Sequence, residues 1–280
     1  MKLTVLVDNY TYIDQYYLGE PAVSYYIEDG DARILFDVGY STVYRENAKA
    51  MGLDLTNLTA VVLSHGHNDH TGGLSYLPKQ RGHCRLIAHP QVLEEKQLEG
   101  LTISACLCRE TLEDQFELCL SRTPVAITPR LTFLGEIPRT NDFENQKPVG
   151  CRCCEGEWKA DFVADDSALV YQSPEGIYII TGCSHAGICN IIEYGKQVTG
   201  CPTVLGVIGG FHLLDDAQVQ TERTARYLKE EGITQLYPCH CTSFAARAAI
   251  HRAVPVREVG VGLTLEWGEG EKRNKGGTMK

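Results

Sequence analysis

Val61-Val62-Leu63-Ser64-His65-Gly66-His67-Asn68-Asp69-His70-Thr71-Gly72-Gly73 is an apolar strand that runs directly into a turn crowded with metal-donor side chains. Strand ends are where α/β sheets place their chemistry. His65 and His67 bracket a glycine, which lets the backbone turn tightly enough for both imidazoles to converge on one ion. Asp69 and His70 follow at once and offer an oxygen and a nitrogen for a second ion beside the first. One histidine in a loop would carry little weight. Three histidines and an aspartate within six residues of a strand end read as a metal centre. The mixed nitrogen and oxygen donors suit zinc, and also iron or manganese, with one or two divalent ions as the expected cofactor.

Working outward, short apolar or alternating runs at Leu3 to Val7, Ala22 to Ile27, Arg33 to Phe36 and Ala60 to Leu63 predict four strands. Thr42 to Met51 lacks proline and interior glycine and has Ser41 available as a cap, which predicts a helix. The second half has the same texture. Ala168 to Gln172 and Ile177 to Ile180 flank Ser173-Pro174-Glu175-Gly176, a hairpin signal. Beyond it the pattern predicts helices over Gly187 to Val198, Asp216 to Glu231 and Ser243 to Val254, and strands over Thr203 to Ile208 and Gln235 to Tyr237. The expectation is one α/β domain over residues 1–267 with an irregular middle segment near 100–161. Residues 268–280, rich in Gly, Lys and Glu, read as a flexible polar tail.

The pattern H-x-H-x-D-H resembles the signature of the metallo-β-lactamase superfamily, and the resemblance extends over most of the chain. It implies an αββα sandwich: two mixed sheets packed face to face, flanked by helices, with one or two metals at one edge. It also implies that Asp37, in Leu35-Phe36-Asp37-Val38-Gly39, orients a metal ligand. Two further ligands are expected from His185, His212 and His240. His185 and His240 each follow a predicted strand and are assigned here, His185 to the ion of His65 and His67, His240 to that of Asp69 and His70. His212, between Gly209-Gly210-Phe211 and Leu213, could touch metal or substrate, and with Asp69 is a candidate catalytic residue. Where the wider family places a bridging aspartate in a Thr-Gly-Asp turn, this chain has Thr181-Gly182-Cys183. Cys183 could supply a thiolate there, Asp165 or Asp166 could reach in, or a hydroxide alone could bridge. The strings at 181 to 188, 209 to 213 and 238 to 242 are similar to a subgroup labelled dihydropterin ribofuranosylaminobenzene 5′-phosphate synthases.

These implications lead to a metal-dependent hydrolase, or an enzyme processing phosphate or pyrophosphate esters through a metal-activated hydroxide, on a pterin or ribose-phosphate type of substrate. An iron-containing redox protein on the same fold and a non-catalytic metal or ligand sensor are the alternatives. The net charge of −10 argues against nucleic acid as a partner and leaves a small anionic substrate drawn to the cations. No apolar run of about 18 residues predicts a membrane helix. The first residues read as a strand rather than a signal peptide, so the cytoplasm is expected. The 12 cysteines then read as thiols rather than a disulfide framework. Cys106, Cys108, Cys119, Cys151, Cys153 and Cys154 match no standard cluster spacing and are expected to be plain reduced residues. Oligomeric state is not legible.

Overall fold

The computed structural model describes residues 1–104, 108–214 and 217–268. The first half runs β1 (Lys2–Val7), β2 (Ser24–Asp29), β3 (Ala32–Phe36), α1 (Val43–Ala50), β4 (Ala60–Val62), α2 (Asn68–Thr71) and β5 (Arg85–Ala88). The middle contributes β6 (Lys96–Leu98), β7 (Leu101–Thr102), α3 (Arg109–Glu113), β8 (Glu117–Leu120), β9 (Val125–Ala126), β10 (Leu131–Phe133), β11 (Cys151–Cys154) and β12 (Glu157–Ala160). Then follow β13 (Ala168–Gln172), β14 (Ile177–Thr181), α4 (Ile188–Thr199), β15 (Val204–Gly210), α5 (Gln218–Glu230), β16 (Gln235–Cys239), α6 (Phe244–Ala253) and β17 (Thr264–Glu266).

Two mixed sheets form the body. The seven-stranded sheet has the order β17-β1-β2-β3-β4-β5-β8, and the six-stranded sheet β16-β15-β14-β13-β10-β9. Alternation along each strand sends one set of side chains inward and the other outward. Leu3, Tyr25 and Phe36 from the first sheet thus meet Phe133, Leu169 and Ile180 from the second in a shared core. The outer face of the first sheet packs through Leu35 and Val61 on Tyr44 and Ala48 of α1. That of the second packs through Ile179 and Val207 on Ile191 of α4, Leu228 of α5 and Ile250 of α6. The result is the expected αββα sandwich.

The predicted elements are present with shifted ends. The cap position of α1 is Thr42, and Ser41 instead donates its hydroxyl to Glu20 Oε2. The middle segment is more regular than its sequence suggests: β11 and β12 join β6 and β7 in a third, four-stranded sheet ordered β12-β11-β6-β7. Its strands are two to four residues long, too short for a period to show in sequence. Residues 269–280, most of the expected tail, lie outside the described residues, as does Asp216, the predicted start of α5. Among the described residues no helix is long and apolar enough to cross a membrane.

Candidate metal centre

β4 ends at Val62, and the turn after it delivers Ser64, His65 and His67 before α2 begins at Asn68. Gly66 is required here by crowding. A Cβ on it would sit 2.9 Å from Lys96 Cε and 3.0 Å from the Val92 carbonyl oxygen. Its N–H donates to Asp165 Oδ2 at 2.8 Å. The other oxygen of Asp165, at 2.9 Å, and Asp161 Oδ2, at 2.8 Å, both accept from Lys96 Nζ. All three charged side chains are fully buried. Burial alone would lower the Lys96 ammonium, but Asp165 and Asp161 more than offset it and keep it charged. Asp165 therefore braces the turn instead of bridging ions. Asp166 belongs to no donor group among the described residues: its Oδ2 accepts from the Ala186 N–H at 2.8 Å, and burial raises its carboxyl to about 7.

Three groups of donors lie close enough to hold an ion among the described residues, with the ligand atoms of each within 4.8 Å of one another: His65, His67 and His185; Asp69, His70, Cys183 and His240; and Cys183, His185 and His212. The first two bring together the side chains that the sequence assigns to each ion, with Cys183 added to the second. His65 Nε2 is 3.0 Å from His67 Nδ1, His70 Nε2 is 3.4 Å from Asp69 Oδ2, and His240 Nε2 is 3.3 Å from the same oxygen. A tetrahedral ion with bonds of about 2.0–2.3 Å spaces its donors roughly 3.3–3.8 Å apart, which the two separations to Asp69 meet, while the 3.0 Å between His65 and His67 would open by a few tenths of an ångström around an ion. Buried His67 Nε2, both ring nitrogens of His185, His212 Nδ1 and His240 Nε2 have no hydrogen-bond partner. Buried polar atoms are rarely left this way, and a cation would satisfy one nitrogen of a ring that faces it. The residues present therefore fit a divalent metal ion.

Orienting contacts aim the rings. His70 Nδ1–H donates to Asp37 Oδ2 at 2.6 Å, as the sequence led one to expect of Asp37. Ser64 ties the two together: its N–H and hydroxyl donate to the two oxygens of Asp37, each at 2.7 Å, and its Oγ lies 2.9 Å from His65 Nδ1. His240 Nδ1–H donates to Asn9 Oδ1 at 3.1 Å, while the His240 N–H donates to Asp8 Oδ1 at 3.1 Å. Each arrangement turns an Nε2 lone pair toward the donor groups. Asp37, Ser184, His212 and His240 have positive φ, so backbone strain gathers at the site.

Electrostatics sort the histidines. Burial, with His70 and His67 alongside, pushes His65 well below its ordinary range. Burial brings His67 down to about 4, and burial with His212 nearby lowers His185 strongly. These rings are neutral and available as ligands near pH 7. At Asp69 burial would raise the carboxyl, but His70 and His240 reverse this and hold it well below the carboxylate range. Burial would lower His212, but Cys241 together with Asp166 and Asp69 outweighs it and holds the ring above its ordinary range.

His67, Asp69, Cys183, His185, His212 and His240 line an open cavity of about 450 Å³ whose rim includes Tyr10, Tyr40, Leu98 and Leu214, with Thr242 and Ser243 leading into α6. A larger groove of about 540 Å³ between α5 and α6 contains none of the donors, so the chemistry is assigned to the smaller cavity. Cys108, Cys119, Cys151, Cys153 and Cys154 join no donor group among the described residues, and Cys106 lies outside them. The reason is visible in β11, where alternation sends Cys153 and Cys154 to opposite faces. Lys96, Asp161, Ser64, Asp8 and Asn9 were not legible as site residues. Only Asp8 and Asn9, at the end of the first strand, carry a positional hint.

Comparison with known proteins gives a consistent picture. Residues 18–107 match the family model described as the metallo-beta-lactamase superfamily. A Methanocaldococcus jannaschii protein named 7,8-dihydropterin-6-methyl-4-(beta-D-ribofuranosyl)-aminobenzene-5'-phosphate synthase is 30% identical, over 88% of this chain and 89% of its own. A second protein of the same organism, uncharacterised, is 32% identical over 87% and 91% of the two chains. Among solved structures, Tm1679, described as a metal-dependent hydrolase of the beta-lactamase superfamily, superposes with a TM-score of 0.81 at 29% identity, covering 95% of this chain and 99% of that one.

Proposed function

The chain belongs to the metallo-beta-lactamase superfamily, and on that footing we propose that it is a metal-dependent enzyme acting on a phosphate or pyrophosphate ester of a small anionic substrate, with zinc as the best-suited ion. The observation that carries the reading is the convergence of two donor groups, with unpartnered buried imidazole nitrogens, on one open cavity.

His65, His67 and His185 would hold one ion, and Asp69, His70 and His240 the other. A divalent ion bound there would supply a water with its pKa lowered to about 7 and a positive charge to polarise the electrophile. The chain's own groups do the rest. Asp37 fixes the His70 ring and Asn9 the His240 ring. Asp69, at the cavity wall, can accept a proton at a carboxylate oxygen. His212, also on the wall, has a buried Nδ1 free to meet a substrate oxygen. The N-terminus of α6, entered through Thr242 and Ser243, presents N–H groups and a partial positive charge to a phosphate. Tyr10, Tyr40, Leu98 and Leu214 supply an aromatic and aliphatic rim for a flat ring such as a pterin.

A second reading is favoured by the 30% identical relative, whose name is that of a synthase. The same cavity would then transfer a dihydropterin from its pyrophosphate ester to an aminobenzene ribofuranosyl phosphate, with pyrophosphate leaving and a proton released, instead of hydrolysing an ester. Turnover assays on a phosphodiester, a lactone and a pterin pyrophosphate, the last with and without an aminobenzene ribofuranosyl phosphate, separate the readings. Phosphodiester or pyrophosphate cleavage that is lost on chelation and restored by zinc supports the first. Pterin turnover only with the second substrate present supports the synthase. Full activity of rigorously metal-free protein, or activity on the lactone alone, would refute both.

A further inference from the structure

Cys183 stands in two of the three donor groups. Its sulfur lies with Asp69, His70 and His240 on one side and with His185 and His212 on the other. His185 in turn belongs to the group of His65 and His67, so Cys183 is placed where the two halves of the centre meet. Its Sγ is 3.1 Å from His70 Nε2. A buried thiol with no task packs among apolar side chains as a small hydrophobe. Cys183 is 3% exposed, yet the side chains grouped around its sulfur are imidazoles, a carboxylate and the Cys241 thiol.

The backbone that carries this sulfur is held from both sides. A Cβ on Gly182 would lie 2.2 Å from Ser64 Oγ and 2.8 Å from Asp37 Oδ2, so only glycine lets the end of β14 press against the pair that orients His70. Gly210 N–H donates to the Gly182 carbonyl at 2.8 Å, and Ser184 Oγ donates to the Gly210 carbonyl at 2.6 Å. These contacts fix the direction of Cys183 before any ion arrives.

We infer that Cys183 is a thiolate ligand shared by the two ions, so that the centre takes thiophilic divalent metals in preference to magnesium or calcium. This rests on the two-ion reading above. On binding, the Sγ–H proton leaves to the buffer as two sulfur–metal bonds form, and no electrons are transferred. The nearby Cys241, whose Sγ accepts from the His212 N–H at 3.3 Å, belongs to none of the donor groups. It is the sulfur against which the assignment is checked.

The full chain, stripped with a chelator, is titrated with cobalt(II) and separately with cadmium(II). Bound ions are counted by elemental analysis, and sulfur-to-metal charge transfer is followed in the near ultraviolet. The wild type should bind two ions, with the band growing through both equivalents. Cys183→Ser should lose the band and bind the second ion at least tenfold more weakly, while Cys241→Ser keeps it. Cys183→Asp should bind two ions without the band, which separates loss of sulfur from loss of fold. Two ions without a band in the wild type, or a band that survives Cys183→Ser, overturns the inference and leaves the metal reading standing. A band with one ion overturns the sharing. No bound ion takes down both.

Discussion

The two donor groups of the candidate metal centre are built to different rules. In the mixed group, His70 and His240 are each aimed by a hydrogen bond from the ring nitrogen turned away from the site, to Asp37 and Asn9. In the all-nitrogen group, His185 has no hydrogen bond on either ring nitrogen, and His65 has a serine hydroxyl. That group is held by packing and by the turn itself, which is pinned through Gly66 N–H to the buried cluster of Lys96, Asp161 and Asp165. The contrast teaches that one half is preorganised locally and the other from a distance, by the small third sheet that supplies Lys96. Damage to each half should therefore look different.

The largest expected effect is on the remotely held half. Lys96→Met leaves two buried carboxylates without their cation and should lower unfolding stability by about 3–5 kcal/mol, read from urea melts of the metal-free protein. A loss under roughly 1 kcal/mol would show that the cluster is not what holds the turn.

Acid should act on the same half. Burial brings His67 down to about 4, whereas an unfolded histidine titrates near 6.5. Between these values the unfolded chain binds the extra proton, so stability of the metal-free protein should rise with pH from about 4 to about 6.5 and level off above. The contribution of this one ring is roughly 3 kcal/mol at most, and His67→Asn should flatten the slope. An unchanged slope in that variant contradicts the assignment.

Smaller, and confined to the mixed half, is the effect of Asp37→Asn. It weakens the orientation of His70 and should cost about 10–100-fold in affinity for one ion while sparing the other. Equal losses at both ions in calorimetric titration would erase the distinction between the halves. Asn9→Ala should do the same to His240 on a lesser scale, about tenfold, because the Asp8 contact to the His240 backbone remains.

What sequence could and could not reveal follows the same division. The turn from His65 to His70 is legible because strand, turn and donors are contiguous. His185 and His240 are legible as strand-end histidines, and the structure brings each to the partners expected for it. Lys96 and Asp161 are far apart in the chain, and nothing local marks a lysine for full burial. Glu144 was equally hidden: its carboxylate accepts from the Cys189 and Asn190 N–H groups, each at 3.0 Å, and so caps α4, whose own cap position is Gly187. Such contacts are chosen by the tertiary fold, so local pattern cannot announce them.

The most direct test of the two-part centre is anomalous scattering from zinc-loaded crystals, with maps on either side of the zinc absorption edge. The account predicts two zinc peaks, one among His65, His67 and His185 and the other among Asp69, His70, Cys183 and His240. A single peak, or zinc held instead by the cysteines of β11, would contradict it.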